Sequence, residues 1–127
     1  MPTTQDPCPC GLGPAFPDCC GRYIGAGRPA PDAEALMRSR YTAFVRGDAA
    51  HLLATWHASQ RPASLDLGDG VKWLGLEVRR HAPLDDTHAE VEFVARSRVQ
   101  GRGQRLHERS RFVRENGQWF YVDGEIK

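Results

Sequence analysis

Residues 108–124 read ERSRFVRENGQWFYVDG, and the Asn116-Gly117 pair at their centre decides the architecture. Asn-Gly is the preferred two-residue loop of a type I′ β-hairpin, because both loop positions need a positive φ that these residues tolerate. So short a loop also sets the register. It places Glu115 opposite Gln118, and counting back puts Phe112 opposite Tyr121, Ser110 opposite Asp123 and Glu108 opposite Glu125. These residues share a face with Leu106 and Trp119, whereas Val113 with Phe120 and Arg111 with Val122 take the other face. A β-bulge would break this count.

Working upstream, residues 88–99 alternate with period 2: Ala89, Val91, Phe93, Ala95 and Val99 on one face, His88, Glu90, Glu92, Arg96 and Arg98 on the other. Such a strand has one buried and one wet face. Gly101-Arg102-Gly103 turns it into the next strand. Strands are expected over about 71–80, 88–99, 104–114 and 118–126, the last three as an antiparallel meander. Before residue 60 the period is helical: Met37, Tyr41, Phe44 and Val45 recur at i, i+4, i+7 and i+8 behind Asp32, a good N-cap, which predicts a helix over 33–46. Gly47 is a stop and Asp48 caps a second helix with Leu52, Leu53 and Trp56 on one face, ended by Pro62 at the latest. Residues 21–32 and 61–70, rich in Gly and Pro, read as linker and loop. The fold class is α+β, helices packed on an antiparallel sheet.

The 127 residues suffice for one cored domain and a short attachment. We place the attachment and the start of its linker at 1–25 and the α+β domain at 26–127. With 17 basic and 16 acidic side chains the chain has no global field for gathering nucleic acid or an anionic membrane. The start, MPTTQDP, does not read as a secretory signal, and no apolar run reaches the roughly 20 residues that span a bilayer. A cytosolic protein is expected. All four cysteines fall in the first 20 residues, which in a reducing compartment favours metal over disulfides.

Zinc takes four soft, deprotonated ligands in a tetrahedron, and two close cysteine pairs separated by a short loop can supply them. Here the pairs are Cys8-Pro9-Cys10 and Cys19-Cys20, separated by GLGPAFPD. The alternatives are two disulfides or four free thiols. A disulfide within either pair would be strained, and crossed pairs need an oxidising compartment. CPCGLGPAFPDCCG resembles the SEC-C knuckle, a zinc-binding motif in which C-x-C is followed eight residues later by C-C or C-H, and the positions match one for one. The resemblance implies Zn²⁺ held by Cys8, Cys10, Cys19 and Cys20, and a knuckle that contacts other proteins. The lysines usual in that motif are missing, and Arg22 and Arg28 are the nearby basic groups in sequence that can offset the charge of about −2 on a four-thiolate zinc site.

The resemblance extends along the chain: LMRSRYTAFVRGDAAHLLATWH (36–57), WLGLEV (73–78) and ERSRFVRENGQWFYVDG (108–124) look like the YchJ-like bacterial proteins. That family is similar in fold to nuclear-transport-factor-2-like (NTF2-like) domains, implying helices on a strongly curved sheet that forms a cone with an open mouth. Many members carry a second knuckle after the sheet; with the sequence ending at Lys127, a bivalent role is not expected. The resemblance implies no reaction, so chemistry is sought inside the cone. The derived face offers Glu108, Ser110, Tyr121 and Asp123 among Phe112 and Trp119, and Arg40, Trp56 and His57 on the helices can close it. Each has a plainer reading: Ser110 and Asp123 as a cross-strand hydrogen bond, Trp56 as a core anchor, His57 as a partly exposed helix residue, Arg38 and Arg40 as a solvated helix face. No G-x-S-x-G, P-loop or H-E-x-x-H occurs. Arg96, Arg98, Arg102, Arg105, Arg109 and Arg111 concentrate charge on the meander, which reads as a wet sheet face before a nucleic-acid surface. The expectation is a zinc-binding protein-interaction or small-ligand-binding module, with a small enzyme acting in the cone as the alternative.

Overall fold

In a computed structural model that describes residues 7–25, 28–67 and 70–127, Asp32 accepts the Ala35 N–H at 2.8 Å and opens α1 (Ala33–Arg46). Parts of the attachment, linker and loop read from the sequence (1–6, 26–27 and 68–69) lie outside the described residues. Gly47, at φ 71°, closes α1 in the left-handed conformation that glycine adopts without strain. Asp48 accepts the His51 N–H at 3.0 Å and caps α2 (Ala49–Ala54). This helix is short because the next residues pair with the sheet: the Tyr121 N–H donates to the Thr55 carbonyl at 2.8 Å and the His57 N–H to the Tyr121 carbonyl at 2.7 Å. Trp56 therefore stands on an extended segment beside the sheet, not on the helix.

Four antiparallel strands, β1 (Val71–Pro83), β2 (His88–Val99), β3 (Arg102–Glu115) and β4 (Gln118–Ile126), form a sheet of order β1-β2-β3-β4. The turn from β2 to β3 is made by Gln100 and Gly101, both at positive φ, so Arg102 and Gly103 join β3. Asn116 at φ 52° and Gly117 at φ 77° make the hairpin turn, and Glu115 faces Gln118 as expected. The register holds to Phe112 opposite Tyr121 and then shifts by one residue, so that Arg111 faces Asp123, Ser110 faces Gly124 and Glu108 faces Ile126. The pairings of Ser110 with Asp123 and of Glu108 with Glu125 are thus corrected. Val122 is the extra residue of a bulge, and with a side-chain period of 2 a one-residue slip sends Asp123 to the opposite face. There its Oδ1 accepts from Arg111 Nε at 2.6 Å.

The sheet's inner face wraps α1. Leu36, Met37 and Tyr41 of α1 pack with Val91, Phe93 and Phe112 in the main core. Further shifts between Trp73 and Gly75 and between Val78 and Arg80 bend β1. The outer face is laced with ion pairs, Arg96 to Glu77 and Arg109 to Glu125, and His107 Nε2 lies 2.6 Å from Glu92 Oε2. Half of the arginines that stand out in the sequence of the meander thus have acidic neighbours.

Helix α1 is buried on more than its apolar side. Ser39 and Thr42 are fully buried and Arg40 keeps 7% of its surface exposed, so the solvated face expected for Arg40 is corrected. The Ser39 hydroxyl donates to the Leu36 carbonyl at 2.8 Å and lies 3.0 Å from His51 Nε2, which puts the ring proton on Nε2. Burial holds His51 below its usual range, with Asp48 opposing and Arg40 reinforcing the shift. A base whose folded pKa is depressed stays neutral in the native state while the unfolded chain takes up a proton, so stability is lost as pH falls through about 6.5. Denaturant midpoints should decline from about pH 8 towards pH 5, and His51→Gln should flatten that decline. An unchanged slope in the variant would rule out His51 as its source.

Candidate metal centre and interior cavity

The knuckle is built by short-range hydrogen bonds. The Cys8 N–H donates to the Pro14 carbonyl at 2.8 Å, closing the loop between the pairs, and short 3-10 turns at Phe16–Asp18 and Cys20–Arg22 flank Cys19. Gly21 must be small, since a Cβ there would lie 2.6 Å from the Phe16 carbonyl oxygen. The result brings the four Sγ atoms within 4.8 Å of one another, each cysteine being almost wholly buried. A tetrahedron of sulfurs about a zinc-sized ion has edges of ~3.8 Å, and Cys10 Sγ already lies 3.5 Å from Cys19 Sγ. Soft donor type and spacing both fit a bound metal ion. The thiols share protons unevenly: a hydrogen bond from Cys20 holds Cys10 down to about 5, whereas burial pushes Cys19 up to about 11. Cys20 goes higher still, chiefly because its proton is held by Cys10.

Helix α1 supplies what the missing lysines do not. Arg38 Nη1 donates to the Cys10 carbonyl at 2.8 Å, the Thr42 hydroxyl donates to Cys20 Sγ at 3.3 Å, and the Arg46 guanidinium sits 4.0 Å from the Phe16 ring centre. Of the two basic residues expected here, Arg22 donates to the Cys19 carbonyl at 3.0 Å, but Arg28 lines a separate hollow with Tyr23, His51 and Trp119. Sequence reasoning missed Arg38 and Thr42. Their signal was the spacing Arg38, Thr42, Arg46 at i, i+4 and i+8, one stripe of the helix.

Behind α1 lies a cavity of about 290 Å³. Tyr41 and Phe44 reach it from the helix and meet Trp73 of β1 at ring distances of 5.6 and 5.7 Å; Phe93, Leu106 and Phe112 complete most of the apolar wall. Of the seven residues proposed from the sequence, Arg40, Trp56, Glu108, Ser110 and Tyr121 line this cavity. His57 does not. Alternation along the extended segment turns Trp56 inward and His57 outward, where its Nε2 lies 2.9 Å from Glu115 Oε2 near the hairpin. Asp123 is excluded by the Val122 bulge.

The polar part of the wall is one cluster. Glu108 Oε2 accepts from the Ser110 hydroxyl at 2.5 Å and from the Tyr121 hydroxyl at 3.3 Å. Gly124 makes this possible, because a Cβ there would collide with the Glu108 carboxylate. Arg40 Nη1 donates to the Leu52 carbonyl and the Thr55 hydroxyl at 2.8 and 2.7 Å, and its guanidinium lies 4.6 Å from the Tyr121 ring centre and 5.3 Å from that of Trp56. Burial lowers Arg40 to about 10, against the pull of Tyr121 and Glu108, and raises Tyr121 to about 12, with the Glu108 charge adding to the shift.

Residues 32–124 match the family described as YchJ, middle NTF2-like domain. The chain belongs to the YchJ-like family. It is 66% identical to a UPF0225 protein of Polaromonas sp. (strain JS666), over 94% of this chain and 93% of that one, and 64% identical to a UPF0225 protein of Methylibium petroleiphilum, over 94% and 88%. Among solved structures it resembles a SEC-C motif containing protein from Rhodopseudomonas palustris at a TM-score of 0.84 and 34% identity, covering 93% of this chain and 96% of that one. A sec-c motif containing protein from Psychrobacter arcticus gives 0.76 and 29%, over 94% and 82%. The YchJ-like resemblance and the α+β fold read from the sequence are borne out. In this YchJ-like chain the knuckle and the cavity flank the same helix.

The contact between Gly124 and Glu108 can be tested directly. Gly124→Ala should displace the carboxylate from Ser110 and Tyr121 and cost about 1–3 kcal/mol in chemical denaturation, but almost nothing when Glu108→Ala is already present. Equal costs in both backgrounds would place the collision elsewhere.

Proposed function

We propose that the chain is a zinc-binding module that holds a small organic ligand in the cavity behind α1 and offers its knuckle to a protein partner in the cytosol. The observation that carries the ligand reading is the cavity itself. It measures about 290 Å³ and joins aromatic walls to a single polar cluster. That combination is the usual make-up of a ligand site. Binding is favoured over acid–base catalysis because Arg40, at about 10, stays charged at neutral pH and Tyr121, at about 12, stays neutral.

Four buried thiols favour zinc among the common divalent ions. Bound there, zinc would supply structural cross-linking. Cys8, Cys10, Cys19 and Cys20 would hold it, and Thr42 and Arg38 would tie the loaded knuckle to α1. Leu12, 52% exposed on the loop between the cysteine pairs, is an apolar contact for a partner.

Metal analysis of the purified chain should find one zinc per molecule, and Cys8→Ser combined with Cys19→Ser should abolish it; full occupancy in that variant would refute the ligand set. The cavity reading is tested by a thermal-shift screen of small acids, amines, alcohols and nucleotides. A true ligand at 100 times its dissociation constant stabilises the native state by about 2.7 kcal/mol. Ala95→Leu, which grows a side chain from the cavity wall, should remove that shift. Absence of any stabilising compound, or a shift that survives Ala95→Leu, would overturn it.

A further inference from the structure

The cavity's polar groups also specify a class of ligand. Among the described Asp, Glu, Lys and Arg side chains Arg40 alone is buried, with 7% of its surface exposed, and no described carboxylate lies within ion-pair distance of it. Glu108, the nearest candidate, acts on it only through space, its Oε2 being taken up by the Ser110 and Tyr121 hydroxyls. A buried cation without a paired anion is costly and calls for a compensating charge.

The guanidinium is also only partly used. It has five N–H donors. Nη1 is spent on the Leu52 carbonyl and the Thr55 hydroxyl, while Nε and Nη2 find no acceptor among the described residues and are not sealed from accessible space. The rings of Tyr121 and Trp56 lie 4.6 and 5.3 Å from the guanidinium carbon, and the Nε/Nη2 edge is the one left without an acceptor among the described residues. Two parallel N–H groups on a fixed edge match the two oxygens of a carboxylate.

We infer that the cavity takes a small monocarboxylic acid with an apolar body, its carboxylate seated on the Nε/Nη2 edge of Arg40; this rests on the small-ligand reading above. The apolar body packs against Phe93, Leu106 and Phe112. A volume of about 290 Å³, at roughly 30 Å³ per water-sized group, holds on the order of ten non-hydrogen atoms. Glu108 stands in the same wall, its Oε2 accepting from Ser110 and Tyr121, so a second carboxylate on the ligand meets an acceptor instead of a donor. The site therefore selects monoacids over diacids and over neutral analogues of the same shape.

The test uses the metal-loaded full chain and isothermal titration of alkyl and aryl carboxylic acids of on the order of ten non-hydrogen atoms, each beside its primary amide, together with phenylsuccinate as the diacid partner of 3-phenylpropionate. Acids should bind at least about tenfold more tightly than their amides, the difference expected of a charge-assisted pair. Arg40→Met should lower acid affinity by roughly 10- to 100-fold, and Arg40→Lys, which keeps the charge and loses the fork, by about tenfold. Because Arg40→Met also removes the bonds to Leu52 and Thr55, Arg40→Lys decides if that variant does not fold. Glu108→Gln should raise the affinity for phenylsuccinate relative to 3-phenylpropionate. Amides binding as tightly as acids, acid affinity unchanged in Arg40→Lys, or only non-acids binding in the wider screen would overturn this inference and leave the ligand reading intact. No binding by any compound would overturn both.

Discussion

Helix α1 is docked by the need to satisfy its own buried polar groups, and most of the molecule is arranged around that need. Thr42 and Arg38 bond to the cysteine knuckle, Ser39 and Arg40 to α2. Its apolar residues, Leu36, Met37 and Tyr41, face the sheet. An unsatisfied buried donor or acceptor costs about 1–3 kcal/mol, so sliding the helix by a turn or rotating it by one residue would forfeit several such bonds together. Apolar packing alone would tolerate small shifts of this kind; the polar set admits one docking. The metal ligands and the cavity thereby sit on opposite sides of one rigid rod.

The bulge at Val122 settles the cavity's charge. With a regular ladder Asp123 would stand beside Ser110, giving the wall two carboxylates against one guanidinium. The extra residue sends Asp123 out to Arg111 and brings Gly124 into the place opposite Ser110, where the lack of a Cβ leaves room for Glu108. One inserted residue thus removes a negative charge from the interior and positions the one that remains.

What was legible in the sequence follows from the range of the forces involved. The 33–46 helix is written in local terms, an Asp cap, an apolar period and a Gly stop, and it stands as read. The cysteine pairs are as local, and so is the Asn116-Gly117 turn. The bulge was not legible, since nothing in Tyr-Val-Asp distinguishes a ladder from a ladder with one residue extruded; the choice is made by what packs on each face. Arg40 was placed at the cavity, as found, but its plainer reading as a solvated helix face failed because a periodicity argument counts every arginine as polar, while its burial depends on acceptors in and just after α2, Leu52 and Thr55. His57 was misplaced with the end of α2, which yields to a pairing with Tyr121 more than 60 residues away in sequence.

That pairing has a second consequence. A terminal strand exposes a row of unpaired N–H and C=O groups that can recruit a strand from another molecule. On β4 the free edge at Tyr121 is occupied from within the chain, by Thr55 and His57. On β1, at the other side of the sheet, two breaks in register, Pro83 and the charges of Lys72, Arg79 and Arg80 spoil a straight template. Neither margin of the sheet presents a long, regular ladder, so the fold resists edge-to-edge aggregation when the protein is concentrated or newly made.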